Sequence, residues 1–510
     1  MNKKRKRAND IEPIIKHYTD EIELNPQNFL AYYCRGNAFC EKRDYDMAIK
    51  DFTKVIEINP EYVDAYISRG HAYFHKGDYD KAIEDFTKVI ELNPDYLEAY
   101  NFRGWAYYYK NEYKQAIKDF TKTIELNPNI YETYVARGFA YFYEAEYDKA
   151  IEDFNTTIRL NPNFADAYIG RGKAYNYKGE YDKAIEDLTI AIKLDPFYAG
   201  SYEARAQTYF NKENYEQAMK DYNKAIELDP NFIEAYIGRG RVYVNKENYE
   251  QAIKDFNKAI ELAPDFADVY TDRGFAYLKN NEYDKAIKDF TKAIELNPND
   301  AVAHYLCGNA YEEKGDYKQA IKEYTKAIEI CPDYIEAYLY RGDAYFFICD
   351  CDNSIKDYNK VIELNPDFIE AYISRGFAYS SKGMYEQAIK DFTKAIELKP
   401  DSAEAYTGRG EVYGFKGDYD KAIKDFTKAI ELNPSFAPAY EGRGYAYLQK
   451  AKFEHAIKDF TKAIELEPNR AELYISRGIA YSSKGEYVQA MNDFDKAKEL
   501  NPNIDLNFPL

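Results

Sequence analysis

The chain has 510 residues, of which 45% are apolar and 31% charged, so its composition predicts a folded protein. No run approaches the roughly 18 consecutive apolar residues of a membrane helix, so no membrane span is expected. The formal net charge of −19 argues against nucleic acid as the main partner, because a phosphate backbone requires basic surfaces. Six cysteines without a regular spacing do not make a disulfide framework, and a reducing, cytoplasmic location is therefore expected.

The N-terminal stretch is basic, with five consecutive positive residues from Lys3 to Arg7. No apolar segment follows it, so it does not have the pattern of a secretory signal. We expect residues 1–9 to form a disordered basic tail. The alternative is a nuclear-import signal or a nucleic-acid contact.

A strict repeat occupies nearly all of the remaining chain. Fifteen prolines, from Pro26 to Pro502, stand 34 residues apart without insertion or deletion. Residues 10–28 contain one half of the repeat and are expected to cap the array. Fourteen complete units fill residues 29–504, and residues 505–510 form a short tail. A fixed period of this length is typical of a solenoid.

Each unit predicts two helices. The segment AIKDFTKAIELNP at residues 286–298, repeated unchanged at 422–434, places its apolar residues on one helical stripe. The first helix of the same unit is expected at Ala267–Lys279, and the second is expected to begin near Tyr283. A short turn, often with glycine, separates them, and the Asn-Pro pair ends the second helix. Loops this short make the two helices antiparallel.

The recurring residues resemble the tetratricopeptide repeat over about 95% of the chain. The positions that carry the resemblance in one unit are Tyr270, Gly274, Tyr277, Ala286, Phe290 and Pro298. It implies an all-α fold, a right-handed superhelical solenoid of antiparallel helix pairs with a concave groove and a convex surface. It also implies a scaffold for protein–protein interaction.

One departure from the family pattern is systematic. Thirteen units carry arginine just before the glycine position, which Ala206 occupies in one of them; the family most often has leucine there, and each of these units has an aspartate sixteen residues further on. Arg103 with Asp119 and Arg273 with Asp289 are examples. A partly buried guanidinium needs an acceptor, so we hypothesise a ladder of Arg–Asp pairs. The alternative is that both side chains are solvated. The remaining unit has Cys307 and Glu323 at these positions.

The sequence contains no phosphate-binding loop, nucleophile elbow or His-Glu metal motif, so no pattern in it indicates catalysis. The repeats leave no residues for a catalytic domain, so we expect no enzyme activity and no cofactor. One group of potential metal ligands lies in two adjacent units and comprises His304, Cys307, Cys331, Cys349 and Cys351. Cys331 and Cys349 are expected at opposite ends of a helix, about 20 Å apart, which argues against a common metal site.

Recognition is expected where units differ on an exposed face of the first helix. The resemblance makes this face the lining of the concave groove. Four consecutive N-terminal units place mostly aromatic side chains there, and aromatic anchors are the usual energetic centres of interfaces. The candidate ligand-binding residues are His71, Phe74, His75, Asn101, Trp105, Tyr108, Tyr109, Phe139, Phe142, Tyr143, Lys173, Asn176 and Tyr177.

The charges around this face indicate the kind of partner. Most first helices begin with an acidic residue, either as a favourable charge at a helix N-terminus or as part of an acidic rim. If these acidic residues form a rim around the groove, the expected ligand is an apolar or aromatic peptide that carries basic residues. The family's basic clamp for chaperone C-terminal tails is missing, because Asp64, Ile67, Glu98, Asn101 and Trp105 occupy its positions. The rival class is a self-assembling structural solenoid whose ends stack.

Overall fold

The computed structural model describes the backbone of residues 2–503 and the side chains of residues 11–503. Residues 2–503 form 29 α-helices and no β-strand, and consecutive helices pair as the repeat predicts. The chain divides into two compact units, residues 1–262 and 263–510; the first holds six complete repeats and both helices of a seventh, and the second holds seven complete repeats. The predicted 505–510 tail lies outside the described residues.

Helices α1 to α15 belong to the first compact unit. Their bounds are α1 Asn2–Leu24, α2 Phe29–Lys42, α3 Tyr45–Ile58, α4 Val63–Lys76, α5 Tyr79–Leu92, α6 Leu97–Tyr109, α7 Tyr113–Leu126, α8 Tyr131–Tyr143, α9 Tyr147–Leu160, α10 Ala165–Tyr177, α11 Tyr181–Leu194, α12 Ala199–Asn211, α13 Tyr215–Leu228, α14 Ile233–Asn245 and α15 Tyr249–Leu262.

Helices α16 to α29 belong to the second compact unit. Their bounds are α16 Ala267–Lys279, α17 Tyr283–Leu296, α18 Ala301–Glu313, α19 Tyr317–Ile330, α20 Ile335–Phe347, α21 Cys351–Leu364, α22 Ile369–Ser381, α23 Tyr385–Leu398, α24 Ala403–Phe415, α25 Tyr419–Leu432, α26 Ala437–Gln449, α27 Phe453–Leu466, α28 Ala471–Lys484 and α29 Tyr487–Leu500.

The predicted helix bounds at Ala267–Lys279 and Tyr283 are confirmed. The helical backbone of α1 begins at Asn2 and so includes part of the basic stretch. The disordered basic tail over residues 1–9 stays a prediction. Lysine, arginine and alanine favour helix, so this stretch can extend the half-repeat helix. The side chains of residues 1–10 are not described, and the role of the basic stretch stays a prediction.

The Asn-Pro pair ends the second helix through two local effects. Asn93, which precedes Pro94, has φ −141° and ψ 93°, the extended conformation that a following proline favours. The Asn93 side chain then accepts a hydrogen bond from the backbone N–H of Asp95 at 3.3 Å. The same turn recurs at Asn127 and Asn161, so the backbone conformation repeats with the same 34-residue period as the sequence.

The glycine of each motif allows the two helices of a unit to approach. A Cβ atom added to Gly104 would lie 2.8 Å from Cε1 of Phe120, whose ring is fully buried. Gly274 and Phe290 repeat this contact at 2.8 Å in the second compact unit. The buried ring therefore occupies the space that a side chain on the first helix would need.

The turn between the two helices requires a left-handed residue. Six units place glycine there, with φ from +74° to +90°. The other eight place a residue with a side chain, for example Ala145 at φ +58° and Asn111 at φ +60°. Only the glycines adopt this conformation without steric cost.

The hypothesised Arg–Asp ladder is confirmed in all thirteen units. In each unit the arginine Nε and Nη2 donate to the two carboxylate oxygens of the aspartate. The aspartates are buried and the guanidinium groups are mostly covered. In the exceptional unit Glu323 accepts from His304 Nδ1 at 2.7 Å instead.

Candidate functional site

The candidate residues lie on four neighbouring first helices, α4, α6, α8 and α10, which contact one another in sequence. We call the surface formed by His71, Phe74, His75 and the repeat-equivalent residues of the other three helices the first-helix face. The same chain positions recur on each helix because the repeat has no insertions.

Helix α4 contributes one half-buried and one exposed histidine. The His71 ring lies 4.1 Å from the Phe102 ring and 5.6 Å from the Phe86 ring, measured between centroids. Burial lowers the pKa of His71 to about 4, so this side chain is neutral at pH 7. His75 is exposed and stacks on Tyr45.

Helix α6 carries the single tryptophan of the chain. Trp105 packs edge-on against the buried Phe120 ring and stacks on Tyr109 at 5.9 Å. Tyr108 is half-buried, and burial raises its pKa, so its hydroxyl stays protonated. Tyr109 is 53% exposed. The Oδ1 atom of Asn101 is buried without a hydrogen-bond partner.

Helix α8 repeats this division between covered and open rings. Phe139 packs edge-on against the buried Phe154 at 5.1 Å. Phe142 is half-buried and contacts Tyr177 of the next unit at 5.2 Å. Tyr143 is 55% exposed, so the solvent-facing part of the face comes from the last residue of the helix.

Helix α10 borders a cavity of about 650 Å³ that Phe142, Tyr143, Lys173, Asn176 and Tyr177 help to line. Tyr177 is 65% exposed at its mouth. Other lining residues are Glu203, Gln207 and Asn211 of α12. Burial raises the pKa of Glu203, and the nearby Lys173 opposes this shift.

The structure therefore brings the thirteen candidates onto one face and separates two roles. Phe74, Trp105, Tyr108, Phe139 and Phe142 are half-buried and pack between units. The solvent-facing aromatic surface consists chiefly of Tyr109, Tyr143 and Tyr177, accompanied by His75.

The sequence reasoning missed the residues that hold the exposed rings. The first residue of the preceding second helix stacks on each of them, as Tyr79 does on Tyr109 and Tyr113 on Tyr143. Tyr147 stacks on Tyr177 in the same way at 5.5 Å. These tyrosines recur with the period, so a search for positions that differ between units does not select them.

An equivalent cavity, of about 610 Å³, occurs in the second compact unit. Glu411, Gly414, Phe415, Tyr419 and Glu441 line it, and each stands 238 residues, or seven repeats, after a residue that lines the first cavity. The two cavities therefore occupy the same place in the repeat and differ only in their side chains.

The potential metal ligands do not lie together in one site. Within residues 11–503 no group of three or more His, Cys, Asp and Glu side chains is placed to hold a metal ion. Cys307 is buried, whereas Cys331 and Cys349 are exposed. None of the helices in the described part of the chain is long and apolar enough to cross a membrane.

These features define a helical-repeat protein with a variable aromatic face. The family model described as "Tetratricopeptide repeat" matches more than half of the chain, at residues 29–62, 63–96, 97–130, 165–198, 267–300, 369–402, 403–436, 437–470 and 471–504. Two related models match residues 140–176, 206–247, 240–281, 308–346, 350–383 and 290–322. The chain belongs to the tetratricopeptide repeat family, whose members generally mediate protein–protein interaction.

Solved structures with a similar chain include the APC/C hetero-tetramer Cut9-Hcn1, at 16% identity over 95% of each chain with a TM-score of 0.45. Yeast Tom70 is similar at 22% identity over 83% of this chain and 96% of its own, with a TM-score of 0.35. A tetratricopeptide repeat protein from Parabacteroides merdae shows 24% identity over 46% and 94%, with a TM-score of 0.42. A search of curated proteins finds no match.

Proposed function

We propose that this protein is a non-catalytic scaffold that binds an extended segment or helix of a partner protein on the first-helix face of α4, α6, α8 and α10. The observation that carries the proposal is the row of exposed, pre-stacked rings Tyr109, Tyr143 and Tyr177. Rings held by a neighbouring tyrosine lose little conformational entropy on binding.

The half-buried residues beneath this row give it a fixed shape. Trp105 and Phe139 rest on fully buried phenylalanines, so the floor of the face is part of the packed core. Tyrosine and tryptophan supply much apolar area with few rotatable bonds, which suits them as interface anchors.

Charge at the helix starts supports a basic, aromatic or apolar peptide as the ligand. Asp64, Glu98, Glu132 and Asp166 are exposed at the N-terminal ends of the same four helices. They stabilise the helix dipoles and also make this rim acidic. We do not expect this face to bind acidic chaperone tails or nucleic acid, because it offers only Lys173 as a basic candidate side chain.

The experiment is the selection of binders from a displayed random-peptide library. The wild-type chain is expected to enrich peptides with aromatic or aliphatic residues and lysine or arginine. A variant with Tyr109→Ser, Tyr143→Ser and Tyr177→Ser should bind those peptides at least tenfold more weakly. These rings are over half exposed, so the variant is expected to keep its fold.

A matched control carries Phe347→Ser and Tyr487→Ser, which remove rings of 59% and 67% exposure from the second compact unit. This control should bind the selected peptides as the wild type does. Equal binding by the triple variant, with its circular dichroism unchanged, would show that the first-helix face is not the binding surface.

A second candidate function is self-assembly, which the last helix favours. Tyr487, Val488 and Met491 of α29 are 67%, 73% and 58% exposed. A second copy of the chain is the occupant that self-assembly requires. Light scattering should then show a mass that rises with concentration in the wild type and not in a variant with Val488→Asp and Met491→Asp. A concentration-independent monomer mass in the wild type excludes this function.

The proposed location is the cytoplasm. All six cysteines are unpaired, and Cys40 and Cys307 are covered by neighbouring side chains. Unpaired thiols persist best in a reducing compartment.

A further inference from the structure

The two equivalent cavities differ in how their buried carboxylates are neutralised. In the first cavity Glu203 lies near Lys173, which favours the charged form of the glutamate. In the second cavity the same repeat position holds Glu441, which pairs with Arg470 Nη1 at 2.9 Å. The position of Lys173, however, is taken by Glu411.

Glu411 is a largely buried carboxylate without a counterion. It has no hydrogen bond or ion pair with any side chain among residues 11–503, and Glu441 adds a repulsive charge nearby. Burial and this repulsion raise the pKa of Glu411 to about 7. An unpaired carboxylate in such a place costs stability, so a cation from outside the chain would be favourable there.

The room for such a cation comes from Gly414. Other units have a larger residue at this position, such as Phe74, Phe142 or Phe346. A Cβ atom added to Gly414 would meet no heavy atom within 4 Å, so no side chain at this position fills the 610 Å³ cavity beside Glu411.

The remaining walls favour a flat cation. Phe415, Tyr419 and Tyr445 line the cavity, and Phe415 is 66% exposed at its edge. A guanidinium group can pair with a carboxylate through two parallel hydrogen bonds and stack on an aromatic ring at the same time. An ammonium group is a compact point charge and lacks this planar, two-pronged geometry.

We propose that the cavity between α24 and α26 is a recognition site for an arginine side chain of a partner protein, with Glu411 as the acceptor and Phe415 and Tyr445 as the stacking walls. The Glu441–Arg470 pair stays intact and fixes the far wall. This site lies in the second compact unit and does not depend on the first-helix face of α4 to α10.

The test uses the full chain and two heptapeptides, Gly-Ser-Gly-Arg-Gly-Ser-Gly and the same peptide with citrulline in place of arginine. Citrulline keeps the shape of the side chain and removes its charge. Saturation-transfer difference NMR at pH 8 should give a dissociation constant for the arginine peptide at least tenfold lower than for the citrulline peptide.

Two variants locate the binding. Glu411→Gln removes the acceptor charge and should raise the dissociation constant about tenfold or more. Gly414→Phe fills the cavity with the residue that other units carry, and should abolish the signal while preserving the helix. Glu404→Gln, which removes an exposed charge from the same helix, should leave binding unchanged.

The proposal is overturned by equal signals from the two peptides, by absence of a signal from the arginine peptide, or by unchanged binding in both Glu411→Gln and Gly414→Phe. The variant Tyr109→Ser/Tyr143→Ser/Tyr177→Ser should bind the arginine peptide normally, so failure of the first-helix face and failure of this cavity are distinguishable.

Discussion

Arg103 and Asp119 form a two-pronged ion pair across the helices of one unit. The Nε and Nη2 atoms of Arg103 each donate to a carboxylate oxygen of Asp119 at 2.7 Å. The Nη1 atom donates at 2.9 Å to Thr87 Oγ1 in the preceding unit. The guanidinium also lies over the Tyr100 ring at 5.7 Å. One arginine thus joins three helices, α5, α6 and α7.

Breaking this pair should be costly because its remaining charge stays buried. Asp119→Asn is expected to lower the free energy of unfolding by about 2–4 kcal/mol. The measurement is urea denaturation followed by circular dichroism. Arg103→Leu, which restores the usual residue of the family, should cost a similar amount because it leaves Asp119 unpaired.

A double-mutant cycle separates this pair from surface effects. Arg103→Leu combined with Asp119→Leu should recover much of the loss, because no buried charge remains. Glu125→Gln removes an exposed partner of Lys122 and should change stability by less than about 0.5 kcal/mol. Equal, small effects for Asp119→Asn and Glu125→Gln would contradict a stabilising ladder.

Glycine substitutions test the close approach of the helices. Gly104→Ala should lower the free energy of unfolding by about 1–3 kcal/mol, because its Cβ would overlap the Phe120 ring. Gly414→Ala has open space around it and should raise stability by about 0.5–1 kcal/mol through helix propensity. Thermal unfolding of both variants checks the prediction, and a loss of stability at Gly414 equal to that at Gly104 would refute it.

The half-buried His71 predicts an acid-sensitive region. Its folded pKa of about 4 lies below the ordinary value, so the unfolded chain binds a proton first. The stability that the neutral ring provides is complete above about pH 6.5 and is lost as the pH falls toward 4, by about 3 kcal/mol.

His71→Gln should therefore flatten the decline in unfolding free energy between pH 6.5 and 4, measured by urea denaturation at each pH. His455→Gln removes an exposed histidine and should leave the decline as in the wild type. A decline that is unchanged in His71→Gln would contradict the assignment.

The left-handed turns offer a stabilising change. Ala145 has φ +58°, and Ala145→Gly should raise the free energy of unfolding by about 0.5–1 kcal/mol. Gly179, at φ +76° in the next unit, is the converse control, and Gly179→Ala should destabilise by a similar amount. Opposite signs in a thermal-shift measurement confirm the prediction, and equal signs contradict it.

The sequence predicted the helix pairs and the Arg–Asp ladder because both depend on spacings that recur in one repeat. The third partner of the arginine was missed, although a threonine or an asparagine stands sixteen residues before it in each of the thirteen units, as Thr87 does before Arg103. The cavity at Gly414 could not be predicted from the sequence. It depends on the absence of a side chain on α24 and on the distance between α24 and α26.

The same distinction applies to the candidate binding residues. Helical spacing placed all thirteen on one face, but it could not separate the covered rings from the open ones. The Trp105 ring packs against Phe120 and is partly covered, whereas the Tyr109 ring stacks on Tyr79 and stays exposed. The Tyr79–Tyr109 contact joins two units, so a single repeat does not contain it.

The most direct measurement of the central claim uses Trp105, the single tryptophan of the chain, as a reporter. Its emission is followed while a library-selected peptide is titrated, with affinity measured independently by calorimetry. We expect the Trp105 emission to change saturably and to give the same dissociation constant as calorimetry. The variant Tyr109→Ser/Tyr143→Ser/Tyr177→Ser should bind the peptide with a dissociation constant at least tenfold higher. Calorimetric binding with no change in Trp105 emission and no loss in the variant would contradict it.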